Sequence, residues 1–146
     1  MSIHRLVLTL AAVVVAVAST AVSSPAAVRH TATTPPVKEL MQAQLGAVLA
    51  TAQNQVLYTW NREKKDHRVH CTGSCAKTWP PLLVAKGANV PKHVAHVMGT
   101  LGVVMRPDGT HQLTFDRVPL YRFHGDAPKQ AKCNGVDGWF VVKVRA

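Results

Sequence analysis

From residue 45 onward the chain alternates apolar and polar positions in short runs of period two, separated by turn-forming residues. Gly46 to Ala50 predicts a strand, Ala52-Gln53-Asn54 its turn, and Gln55 to Trp60 the returning strand, with Val56, Tyr58 and Trp60 alternating against Gln55, Leu57 and Thr59. Asn61 to His70 is polar and predicts an exposed loop. Cys71 to Trp79 has room for one or two helical turns, which Pro80-Pro81 would end, and Leu82 to Val84 follows as a buried stretch. Leu101 to Met105 and His111 to Phe115 predict a second hairpin about Pro107-Asp108-Gly109-Thr110. Asp116-Arg117 turns the chain again into Pro119 to Phe123, where proline at the first strand position need not donate to a ladder. Trp139 to Val144 closes the chain, with Phe140, Val142 and Val144 expected on one apolar face. Val37 to Gln44 reads either as a short helix or as an extended lead-in. No helical pattern is long enough for a βαβ crossover. The expected fold is therefore mainly β, a small antiparallel domain of β-hairpins with one short helix at the cysteine segment.

The two hairpins end alike. Leu57-Tyr58-Thr59-Trp60-Asn61-Arg62-Glu63 and Leu120-Tyr121-Arg122-Phe123-His124-Gly125-Asp126 both fit Leu-Tyr-x-aromatic-x-x-acid, and each follows an apolar segment and a turn. This is an internal duplication, so the domain should be two pseudo-repeats sharing one core. Similar side chains would then occupy similar layers of that core, which explains the repeat without a ligand. Tyr58 and Tyr121 are expected to pack there with their hydroxyls hydrogen-bonded. Glu63 and Asp126 are expected to accept hydrogen bonds from the turns that follow them.

The N-terminus changes the compartment. Arg5, an apolar run from Leu6 to Ala18 and small residues through Ser24 describe a secretory signal peptide over residues 1–23. Residues 24–44, rich in Ala, Thr and Pro at first, are read as a flexible linker, and 45–146 as the β domain. The mature chain of about 120 residues suffices for one small core and contains no transmembrane segment. Seventeen Lys and Arg against seven acids give a net charge of +10. That charge favours anionic partners, such as envelope polymers, or docking on another envelope protein. The cations are scattered outside Arg62-Lys64-Lys65-Arg68 and are not interleaved with aromatics, so specific nucleic-acid binding is not expected.

Several of these stretches together resemble a known family. Leu57 to Trp60, Cys71-Thr72-Gly73-Ser74-Cys75 with Trp79-Pro80-Pro81, Arg106 to Thr110 and Pro119 to Asp126 are similar to the bacterial secreted-repeat lipoproteins, which carry a Y-x-[FWY]-x-x-D motif in tandem. The resemblance marks Tyr58, Trp60, Glu63, Trp79, Tyr121, Phe123 and Asp126 as motif positions. It implies an envelope location and assigns no function. The chain departs from the pattern at Glu63, which stands for Asp, and at the Asp116-Arg117 turn, which lacks glycine. It also lacks a lipobox cysteine, so a secreted or periplasmic protein without a lipid anchor is expected.

Cys71 and Cys75 would meet an oxidising compartment, and four residues apart on a helix their Cα atoms lie about 6 Å apart, which suits a disulfide. Cys133 is left over. An alternative use of the same segment is a copper or zinc site, because His67, His70, Cys71 and Cys75 lie within nine residues, and His93, His96 and Met98 follow. Asp126, Asn134 and Asp137 lack the alternation of a calcium loop. No nucleophile elbow, phosphate loop or zinc-protease motif is present, so neither an enzyme nor a cofactor is expected. The leading expectation is a non-catalytic binding or structural module of the envelope. The alternatives are a periplasmic metal-binding or electron-transfer accessory protein and a basic polyanion binder acting by charge.

Overall fold

The computed structural model describes residues 36–144. The expected signal peptide and most of the expected linker lie outside these residues. Eight strands and two short helices follow one another: β1 (Val37–Gln42), β2 (Gly46–Thr51), β3 (Tyr58–Trp60), α1 (Asn61–Lys64), α2 (Ser74–Thr78), β4 (Leu83–Val84), β5 (Leu101–Met105), β6 (His111–Phe115), β7 (Val118–Pro119) and β8 (Trp139–Val141). All strand pairing is antiparallel: β1 with β2, β3 with β8, and β6 with each of β4, β5 and β7. The fold is the mainly β, two-repeat domain expected, with α2 at the cysteine segment.

The repeats are interleaved. The last strand of each half pairs with the central hairpin of the other: Leu83 stands opposite Gln112 on β6, and Lys143 stands opposite Val48 on β2. The hydrogen bonds repeat the pattern. Leu82 N–H donates to Leu120 O at 2.9 Å, as Val142 N–H donates to Leu57 O at 2.9 Å; Leu113 N–H donates to Leu82 O at 2.8 Å, as Leu49 N–H donates to Val142 O at 2.9 Å. At the centre Tyr58 and Tyr121 exchange backbone hydrogen bonds of 2.9 and 3.0 Å. An approximate two-fold therefore passes between the two tyrosines.

Two apolar clusters flank this junction. One gathers Val37, Leu49, Leu57, Leu101, Leu113, Leu120 and Val142; the other gathers Val48, Val56, Tyr58, Cys71, Trp79, Tyr121, Trp139 and Val141.

Four expectations need correction. The linker does not reach residue 44, because Val37 to Gln42 is a six-residue strand in full register with β2, and Val37 is wholly buried. Glu63 is not in an exposed loop: Asn61–Lys64 forms a helical turn that carries its carboxylate into the core. Leu83 is 49% exposed, although Leu82 and Val84 pack against the first cluster. In the closing stretch Phe140 is the exposed hydrophobic residue, while Trp139, Val141, Val142 and Val144 are buried. This stretch lies between the clusters, so both its faces are covered for most of its length, and Phe140 and Lys143 emerge.

Candidate functional site

The polar and aromatic residues singled out by the duplication converge on the junction. Tyr58 and Tyr121 are fully buried, and each reaches across to the acid of the other repeat. Tyr58 Oη donates to Asp126 Oδ2 at 2.5 Å, and Tyr121 Oη donates to Glu63 Oε1 at 2.9 Å. Glu63 Oε1 also accepts from His70 N at 2.6 Å and Cys71 N at 3.0 Å, while Asp126 Oδ1 accepts from Lys132 N at 3.0 Å. Each acid thus fixes the loop behind its own repeat, as expected, and also clamps the opposite tyrosine, which the sequence pattern did not reveal. Burial, first, and then the neighbouring carboxylates push both phenols above their ordinary range.

Arg106 enters the same knot from the end of β5. It is 3% exposed, donates to Gln112 Oε1 at 2.5 Å and to Cys71 O at 2.9 Å, and Gln112 in turn donates to Leu120 O at 2.7 Å. Sequence reasoning gave no role to Arg106 or Gln112, because one ends an apolar strand and the other sits in a polar alternation.

The aromatic rings obey the same two-fold. Trp60 stacks on Trp139 with centroids 5.1 Å apart and planes 1° apart; Trp139 stacks on Trp79 at 4.0 Å and 7°; Trp79 meets Phe123 at 5.0 Å and 45°. Tyr58 abuts Trp79 edge-on at 5.2 Å, and Tyr121 abuts Trp139 edge-on at 5.1 Å. Trp60 and Phe123, the aromatic positions of the two motifs, are the half-buried ends of a row whose inner pair is Trp79 and Trp139. Trp139 was missed as a motif position. Its signal was present, since Cys133-Asn134-Gly135-Val136-Asp137 leads to Trp139 as Cys71-Thr72-Gly73-Ser74-Cys75 leads to Trp79.

The chain matches a family described as a secreted repeat of unknown function over residues 39–83 and 102–143, one segment for each half of the interleaved fold. The chain belongs to this secreted-repeat family. The family's description as secreted agrees with the extracytoplasmic location expected from the leader. No curated protein and no solved structure matches the chain. Among the described residues no helix is long and apolar enough to cross a membrane.

In this member of the secreted-repeat family Cys71 and Cys75 form a disulfide with Cα atoms 5.2 Å apart, and a bridged sulfur does not act as a thiolate ligand. The two histidines are also engaged separately. His70 Nε2 lies 2.7 Å from Asp66 Oδ2, and His67 Nε2 lies 3.2 Å from an Arg117 guanidinium nitrogen. The His70 contact holds the Asp66 carboxyl below its ordinary range. Among the described residues no three His, Cys, Asp or Glu side chains converge to hold a metal. Asp126, Asn134 and Asp137 are likewise spent apart, on Tyr58, on Val141 N and on the Trp60 indole through the Asp137 carbonyl. Cys133 is free, standing where Cys71 stands in the first repeat, and Asp137 takes the place of its partner. Burial and then the nearby Asp126 carboxylate push its thiol up.

Proposed function

We propose that the protein is a non-catalytic extracytoplasmic module that binds anionic polymers of the cell envelope. The observation that carries this reading is the division of charge between core and surface. Glu63 and Asp126 are buried, leaving among the described residues four exposed acids, Asp66, Asp108, Asp116 and Asp137, against twelve exposed Lys and Arg residues. Burying two acids, Glu63 and Asp126, with one cation, Arg106, leaves the surface more basic than the composition suggests by one charge (two acids less one cation). A cleft of about 650 Å³ lined in part by Asn61, Lys64, Phe140 and Lys143 offers two of these cations beside an exposed ring. Lys64 Nζ already lies 5.8 Å over the Phe140 ring. The functional side chains at the repeat junction are committed to one another, which supports a structural role for them.

Titration calorimetry with soluble polyphosphate, and with neutral dextran as the control, tests the reading. Binding to polyphosphate should weaken about tenfold or more as salt rises from about 0.05 to 0.5 M, since exposed charges are screened over a shrinking Debye length. Binding that ignores salt, or that is equal for dextran, would overturn it.

A further inference from the structure

The row of rings at the junction has a property that packing alone does not require. Trp60, Trp139 and Trp79 are stacked with centroid steps of 5.1 and 4.0 Å and nearly parallel planes, so their π systems overlap in sequence. Each buried indole of the row has a tyrosine in edge-on contact with it, and each tyrosine is hydrogen-bonded to a buried carboxylate. The row ends asymmetrically. Trp60, half-buried, is its outer oxidisable ring, whereas Phe123 at the other end is a benzene ring and far harder to oxidise.

We propose that this row carries a one-electron oxidation from Trp60 at the surface to the buried Tyr121 and Tyr58, making the domain an electron donor to radical oxidants that reach it. The oxidant, an inorganic radical, gains one electron from the Trp60 indole. Trp139 refills Trp60, and Tyr121 refills Trp139. As Tyr121 loses its electron its phenol O–H bond breaks, and the proton forms an O–H bond on Glu63, 2.9 Å away. The products are the reduced oxidant, a neutral tyrosyl radical and a neutral carboxylic acid, so charge and protons balance. The second branch runs through Trp79 to Tyr58, with Asp126 at 2.5 Å as the proton acceptor.

Three features favour inward travel. The Arg62 guanidinium lies 5.6 Å over the Trp60 ring, so positive charge on that indole is opposed and moves away from it. An oxidised phenol is a strong acid that would be costly in a buried site, and the carboxylate removes its proton without bulk water. Burial and the carboxylates also keep both phenols protonated before oxidation, so proton and electron leave together.

Pulse radiolysis of the intact protein with the azide radical, which oxidises indoles, provides the test. The tryptophan-radical absorption should form first and convert to that of a tyrosyl radical at a rate independent of protein concentration and slower in deuterated water. Trp60→Phe, a conservative change at a half-buried position, should abolish most of the prompt tryptophan signal and the tyrosyl signal with it. A wild-type tryptophan radical that decays without producing a tyrosyl radical, or only at a concentration-dependent rate, would overturn the proposal. So would a tyrosyl yield in Trp60→Phe equal to that of the wild type.

Discussion

At the scale of single residues, the reciprocal tyrosine–carboxylate pairs are the most constrained chemistry in the molecule. A buried carboxylate is costly unless donors reach it: Glu63 Oε1 accepts three hydrogen bonds while its Oε2 has no partner, and Asp126 accepts one on each oxygen. The pairs also set a pH limit. Desolvation raises both phenols, so the folded state binds their protons more tightly than the unfolded chain, whose tyrosines ionise near 10. The sign follows: this contribution to stability is whole below about pH 10 and is lost as pH rises beyond it. The chain has only two tyrosines, so ultraviolet titration isolates them. Neither should ionise while the fold persists, and both should appear together with the loss of far-ultraviolet circular dichroism. A phenol that ionises near pH 10 with the dichroism intact would show that its burial is misassigned.

At the scale of elements, the α2 segment is held by the disulfide and by Trp79, whose N–H donates to Cys75 O at 2.8 Å. The bridge closes a loop of four-residue separation, so the chain-entropy relation gives it about 2 kcal/mol, less than a long-range bridge would provide. Replacing Cys71 and Cys75 together by alanine should therefore lower stability in urea by about 2 kcal/mol or somewhat more, because Cys71 is also fully buried. Retained stability within a few tenths of a kcal/mol would indicate that Trp79 alone organises the segment. This element was legible because cysteine spacing and Pro80-Pro81 are local signals. The hairpins were legible for the same reason, through period-two runs and the Pro107-Asp108-Gly109 turn. Strand β1 was not, since Lys38-Glu39 and Leu40-Met41 set like residues side by side and hide the period. Phe140 was misplaced because a strand covered on both faces carries no alternation from which its exposed position could be read.

At the scale of the whole molecule, the duplication was legible and the exchange was not. Both halves supply the same local pattern, and nothing local distinguishes a closing strand that returns to its own hairpin from one that crosses to the other. Only the three-dimensional pairing of Leu83 with Gln112 and of Lys143 with Val48 decides it. The exchange has a consequence for folding. Either half alone loses the strand that covers its hairpin, the opposite tyrosine that its acid clamps, and one of the two inner tryptophans. A chain divided in the exposed connection between Gly87 and Val90 leaves each fragment with an open sheet edge and a buried carboxylate short of its phenol. Each fragment should therefore be unfolded as a monomer. The mixture should regain β structure and elute as a one-to-one complex, and a fragment at high concentration could fold only by pairing with a second copy through the same two-fold. Circular dichroism with sedimentation equilibrium distinguishes these states. A folded, monomeric half would mean that the closing strand can return to its own hairpin, and that the interleaving seen here is one of two accessible pairings.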